Sequence, residues 1–377
     1  MLFKNVIGQT DLKRKLIGNA HNNTVSHAQL FLGPLGHGGL PLGLAFSQYL
    51  NCENQGEDDS CGECPSCVKA QKFIHPDIHF SFPFPKVGKK ERCDEFIQDW
   101  REALQENVYL DLFGWMARFD AENKQPNITI RECHDIIHKL SLKAFESPFK
   151  IVILWLPEYL GKEGNSLLKI IEEPPDHTVF ILVAENSDRI LPTVISRMQI
   201  VKIPHIDHSQ LAEVLTQKFE INGEDAFRLA NVSNGDYIEA SRQIRHSFEE
   251  LSGLFVQWLS FCFPSKQTRS LEIYKWIEKF ATIGRENQKS FLKYALHFIH
   301  ETLFMQATGK ASAVLTQEEL QLAEKLIGHS DYNVLQDLYK KINEAHFHAE
   351  RNAHPKILMM SLSLNVARVL KRSLAAA

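Results

Sequence analysis

The chain has 377 residues, is 44% hydrophobic and 23% charged, and carries a net charge of −4 with a pI near 6.5. That length implies roughly two or three domains of an ordinary soluble protein. The mild acidity excludes a generally basic nucleic-acid binder, so any contact with DNA is local or made by partners. No apolar run reaches the ~18 residues of a membrane helix. The opening MLFKNVIGQ has no signal-peptide core, and the expected location is cytoplasmic.

The first third of the chain opens on LFLGPLGHGGLPLG (30–43), a strand that runs into a glycine-rich turn. Gly33, four residues and Gly38 have the spacing of a phosphate-binding loop. The next two positions of such a loop are Lys and Ser or Thr, and here they are Gly39 and Leu40. Gly39 offers no cation and Leu40 no metal ligand. The glycines alone serve equally well as a tight turn. Pro41 suits a first helical turn, and Leu42, Ala45, Phe46 and Tyr49 continue at helical spacing.

Four of the seven cysteines follow at once: Cys52, Cys61, Cys64 and Cys67. The spacing x8, x2, x2 packs four soft ligands into a short segment, which in a reducing compartment reads as a closed, structural metal site rather than a disulfide framework. Tetrahedral Zn²⁺ fits it, and an iron–sulfur cluster is the alternative. The acidic loop NQGEDDS argues against a grip on DNA phosphate. His134, His138, His346 and His348 lie at helical or alternating spacing but lack nearby ligands, and read as solvated or core histidines.

Residues 78–127 break the strand–helix rhythm and read as an insertion. IHFSFPFPKV looks extended, and CDEFIQDWREALQENVYLDLFGWMARF looks like one or two amphipathic helices rich in aromatic residues, including Trp100, Tyr109, Phe113, Trp115 and Phe119. A packed extra hairpin or helix pair and a partner-docking patch are both open for it. The rhythm then resumes: a helix over 128–144, a buried strand over 148–156, a helix over 165–175 stopped by Pro174 and Pro175, and a buried strand over 177–185. After the first of these strands, where an ATPase carries an Asp–Glu pair, stand Trp155 and Leu156, with Glu158 out of step. Metal ligand, phosphate cation and water-activating base are all missing, which argues against phosphoryl transfer. Alternation of this kind predicts a parallel sheet with helices on its faces. From 204 onwards only helices are expected: three short ones to about 246, then a bundle to the end.

VIGQ (6–9), HAQLFLGPLGHG (27–38), SLLKIIEEPP (166–175), SDRILPTVISR (187–197) and ERNAHPK (350–356) together resemble the AAA+ clamp-loader subunits of bacterial DNA polymerase III, in particular the δ′ type. The resemblance implies a AAA+ α/β domain over 1–203, a helical lid over 204–247 and a helical collar for oligomerisation over 248–377. It implies zinc at Cys52, Cys61, Cys64 and Cys67, since similar modules follow the phosphate-loop helix in that family. It also implies that Arg197, in Ser196-Arg197-Met198, is an arginine finger acting in trans on a neighbour's ATP. Aligned on Gly235, the second phosphate sensor of an active lid is Ile238. The implied role is therefore an ATP-silent subunit. Its partners would be the motor (gamma/tau) and delta subunits and, through the complex, the sliding clamp and primed DNA, with no membrane. Two rivals stay open: an active ATPase motor of the same complex, and a zinc-dependent nucleic-acid-binding protein.

Overall fold

The structure, a computed structural model, describes all residues except 87, 89, 122–123, 246–247, 264–269, 313, 352 and 377. The expected lid–collar boundary at 247, four positions of the 78–127 segment and Asn352 of the 350–356 motif thus lie outside the described residues. The chain divides into two compact units, Met1–Val214 with Gly235–Ile238, and Leu215–Asn234 with Glu239–Ala377. Residues of the expected lid, 204–247, fall in both units.

The first unit contains α1 (Thr10–His21), β1 (Ala28–Leu32), α2 (Gly39–Leu50), α3 (Pro65–Gln71), β2 (Ile78–Ser81), α4 (Ile97–Glu106), α5 (Leu112–Ala117), α6 (Ile130–Ser141), β3 (Lys150–Trp155), α7 (Leu168–Glu172), β4 (Thr178–Ala184), α8 (Pro192–Ile195) and β5 (Gln199–Lys202). The five strands form one sheet in the order β2-β3-β4-β1-β5, and every pairing is parallel. The β-branched runs at 150–155 and 178–184 are buried along their whole length, as a sheet covered on both faces requires. Their side chains alternate between two cores with the period of a strand. Ile151, Ile153, Trp155, Val179, Ile181 and Val183 join α2 on one face. Val152, Leu154, Phe180, Leu182 and Ala184 join α6 on the other.

The segment 78–127 needs correction at its start. Ile78–Ser81 is the edge strand β2, in register with Ile151–Leu154 of β3, so the insertion proper begins after Ser81. Four residues among phenylalanines and prolines are too short a run to show strand period. The rest is the expected packed helix pair. Phe82, Trp100 and Trp115 are fully buried in the α2-side core. Trp100 stacks on Phe82 at 4.2 Å between ring centroids, meets Trp115 edge-on at 5.3 Å and lies 5.2 Å from Trp155 of β3.

The chain continues through α9 (His208–Phe219), α10 (Gly223–Val232), α11 (Tyr237–Arg245), α12 (Phe248–Cys262), α13 (Ser270–Ala281), α14 (Arg285–Thr308), α15 (Gln317–His329), α16 (Tyr332–Glu350) and α17 (Pro355–Ala376). In the second unit, α12 to α17 surround a core of Phe255, Trp258, Trp276, Phe291 and Phe298, as the all-helical reading expects. The buried indole of Trp258 donates to Ser363 at 2.8 Å. Thr316 and Glu319 close a capping box at the start of α15, and Glu319 also accepts from Ser252 at 2.7 Å.

Trp100 joins the insertion to the sheet. Trp100→Ala is expected to destabilise the first unit by about 3–5 kcal/mol, read from the shift of its urea transition. A loss below about 1 kcal/mol would mean that the helix pair is only loosely held.

Candidate functional site

The carboxyl ends of β1, β3 and β4 meet at the glycine-rich turn, where ligands bind in open parallel sheets. The turn is fixed from both sides: Gly33 N–H donates to Ala184 O at 3.1 Å, and Ile203 N–H to Leu32 O at 2.8 Å. Gly36 has φ +77, and a Cβ there would lie 1.8 Å from Asp236 Oδ1, so no side chain fits. Gly38, with φ +93, is the N-cap of α2. The turn thus keeps the course of a phosphate loop, with Gly39 and Leu40 in the first turn of the helix.

The recess beside the turn is lined by Gly33, Gly36, Gly38, Gly39, Leu40, Trp155, Leu156, Glu185 and Ile238, together with Val108, Tyr109 and Leu110. The recess is narrow and opens to solvent, with about 30 Å³ of room for the centres of water-sized molecules. All the expected substitutions gather here: Trp155 and Leu156 at the end of β3, Leu40 on α2 and Ile238 on α11. Leu156 holds the left-handed conformation at φ +55, unusual for a bulky residue, and is pinned by its N–H to Val183 O at 2.8 Å. Glu158 accepts from the N–H groups of Glu185 and Asn186 at 2.6 and 2.8 Å. It braces the exits of β3 and β4 and does not line the recess.

Sequence reasoning missed Tyr109. Its ring is buried 4.6 Å from Tyr237, and its hydroxyl accepts from Ile7 N–H at 2.8 Å. Burial pushes the phenol's pKa well up, so it stays neutral. No motif marks it, because its partners lie about a hundred residues away on either side.

The four cysteines converge as expected, their sulfurs all within 4.8 Å of one another. Cys52 and Cys61 are 3.6 Å apart, and Cys61 and Cys67 3.9 Å. A tetrahedron with metal–sulfur bonds of about 2.3 Å has edges of about 3.8 Å, so the cluster has the dimensions of a four-thiolate site. Backbone N–H groups of Cys61, Cys64 and Cys67 point at the sulfurs of Cys52, Cys61 and Cys64 at 3.3–3.4 Å. The N–H groups of Glu63 and Cys64 bring Cys61 down to about 7, whereas burial raises Cys52 and Cys67. The module is bolted to the domain. Asp59 accepts from the N–H groups of Phe3 and Lys4 at 3.0 and 2.9 Å, and Ser66 donates to Asn51 O at 2.6 Å. Asn51 in turn pairs with both backbone groups of Phe149 at 3.0 and 3.2 Å.

Arg197 lies between α8 and the edge strand β5, away from the recess lining. Its Nε donates to Glu172 Oε2 at 2.8 Å and its Nη1 to Thr193 O at 3.0 Å, with the side chain about a third exposed. Met198 is buried in the α6-side core. Among the described residues, no helix is long and apolar enough to cross a membrane.

Comparison with known proteins agrees with this geometry. The tau/gamma subunit of DNA polymerase III from Haemophilus influenzae is 23% identical over 221 residues, 57% of this chain and 26% of that protein. The delta' subunit from Bacillus subtilis is 25% identical over 237 residues, 62% of this chain and 59% of that protein. The chain thus spans between a quarter and three fifths of these relatives' lengths. A solved gamma subunit-related protein from Thermotoga maritima aligns over 97% of this chain and 99% of its own at 15% identity and a TM-score of 0.37, too distant a likeness to add weight. The profile of the family described as DNA polymerase III, delta subunit, matches residues 8–207, more than half of the chain, and the chain belongs to that family.

Proposed function

We propose that this chain is the ATP-silent, δ′-type member of a DNA polymerase III clamp loader, and that it lends Arg197 to the ATP site of a neighbouring subunit. One observation carries the reading: the recess of the phosphate loop is lined by the apolar side chains of Leu40, Trp155, Leu156 and Ile238. A motor subunit needs a cation on the phosphates and carboxylates for Mg²⁺ and water. Neither is offered by residues at the matching positions, which disfavours the motor reading even though gamma and tau relatives align comparably well. The acidic balance of the chain disfavours an independent nucleic-acid binder. The AAA+ domain, lid and collar over 1–203, 204–247 and 248–377 belong to the same proposal, with the collar joining the motor and delta subunits and the complex acting on the sliding clamp and primed DNA.

The isolated chain is expected to give no heat of Mg·ATP binding in titration calorimetry at concentrations that saturate a motor subunit. A micromolar dissociation constant would rule out the silent role.

Cys52, Cys61, Cys64 and Cys67 would hold one structural Zn²⁺, which supplies folding free energy and no open coordination position. Native mass spectrometry is expected to find about one zinc per chain, and Cys64→Ser to lose most of it and melt earlier. Full occupancy in that variant would refute the assignment.

Arg197 needs only a modest trade to reach a phosphate. Its bridge to Glu172 is half exposed, and such pairs contribute about 0–1 kcal/mol. A guanidinium against transition-state charge has been worth about 10³–10⁵ in rate at single sites. Arg197→Ala in the assembled loader is expected to leave folding and assembly intact and to lower the clamp- and DNA-stimulated ATPase in part, since other sites keep their own fingers. Lys at this position restores little, because a point charge does not reproduce the planar fork. Unchanged ATPase in a fully assembled variant would make Arg197 purely structural.

A further inference from the structure

We propose that the strap between α4 and α5 is a built-in occupant of the nucleotide recess, with Tyr109 as its plug. The proposal deepens the ATP-silent reading. It says that the recess is closed a second time, independently of the side chains missing from the loop.

The strap runs from Asn107 to Asp111 and is short and doubly clamped. Asn107 N–H donates to Ala103 O at 2.9 Å, which ends α4. The Asn107 side chain then holds both backbone groups of Tyr109, at 2.9 and 3.1 Å. Asp111 caps α5 through Gly114 N–H at 2.5 Å. The shoulders on either side are Trp100 and Trp115, packed on each other and, through Trp100, on Trp155 of the sheet. Trp115 also donates to Pro83 O at 2.7 Å. A strap fixed in this way does not swing aside without unpacking both indoles.

Its contents face the loop. A Cβ placed on Gly38 would lie 3.4 Å from the Tyr109 hydroxyl and 3.7 Å from Val6 Cγ1. Tyr109 therefore fills the space between the loop and the N-terminal segment at Val6 and Ile7. Its hydroxyl takes the Ile7 N–H, so that backbone donor is already used. Val108 and Leu110 line the recess on either side of it. A planar ring with one hydrogen-bonding edge thus stands where the loop would present a nucleotide. The excluded ligand class is a nucleoside di- or triphosphate.

The test crosses the two barriers. Four full-length proteins are compared by titration with Mg·ATP and with ADP: wild type, Gly39→Lys with Leu40→Thr, Tyr109→Ala, and all three changes together. A Cβ at position 39 comes within 3.1 Å of Val183 Cγ1 and 3.3 Å of Ile203 Cδ1, so each variant is first checked by circular dichroism melting. Wild type and Tyr109→Ala are expected not to bind, and the combined variant to bind at least tenfold more tightly than the loop-restored protein. Equal binding by those two, or none by either, would overturn the plug. Binding by wild type would instead count against the ATP-silent role itself. Tyr109→Phe keeps the ring, so it covers the case in which alanine prevents folding. In the loop-restored background it is expected to bind nucleotide no more tightly than the loop-restored protein, while the Ile7 amide exchanges at least tenfold faster with solvent than in wild type. Tighter binding by that variant, or an unchanged Ile7 amide, would also overturn the proposal.

Discussion

The contact between Trp100 and Trp155, with ring centroids 5.2 Å apart, is the constraint around which the first unit is arranged. Trp155 ends β3, the strand beside the edge strand β2, at the position where an ATPase needs a carboxylate. Its neighbours are apolar: Phe80, Phe82 and Trp115 all share its core. A carboxylate there would be desolvated with no cation beside it, a cost of several kcal/mol even after relaxation. The aromatic cluster and a metal-binding acid therefore compete for one location. With Trp155 in place, the sheet gains a hydrophobic anchor for α4 and α5, and with them the strap that carries Tyr109.

The cysteine module solves a different problem by a similar logic. Between α2 and α3 the chain runs through a turn-rich loop, NCENQGEDDSCGEC, with little apolar content to hold it. Four cysteine sulfurs within 4.8 Å of one another give such a loop a centre. The surrounding hydrogen bonds then fix that centre to the sheet. Asn51 joins the end of α2 to Phe149 just ahead of β3, and His75 joins Ser66 and Ser147 at 3.0 and 2.9 Å. Asp77 gathers the N–H groups of Phe145, Glu146 and Ser147 at 2.6–3.0 Å. The module is thereby part of the same rigid surface as the start of β3.

What the sequence made legible follows from how local each signal is. β3 and β4 were readable because a strand buried on both faces must be apolar at every position, and IVILW and VFILVA are. The cysteine site was readable because its ligands lie within sixteen consecutive residues, 52–67. The defects of the loop were readable because the loop is a contiguous motif. β2 was not, since its four residues are defined by pairing with β3, about seventy positions away. The role of Tyr109 was not, since its hydroxyl meets Ile7 across 102 residues, and nothing in QENVYLD distinguishes a plug from a turn. The division into two units also escaped, because Gly235–Ile238 returns to the first unit after an excursion into the second.

The two ends of the proposed role, a closed pocket and an available arginine, differ in how tightly they are built. The pocket is lined by the indole of Trp155, by a phenol in a short strap and by a leucine held at positive φ, and Trp155 belongs to the buried core of the sheet. Arg197 is held by one half-exposed carboxylate and one carbonyl, at a cost to release of about 1 kcal/mol or less. Glu172, its partner, ends the same α7 whose continuation is stopped by Glu173, Pro174 and Pro175, so the helix presents its carboxylate at the edge where Arg197 emerges. The proposed role asks for this distribution of stiffness, an apolar recess packed on the sheet and a guanidinium that is lightly held.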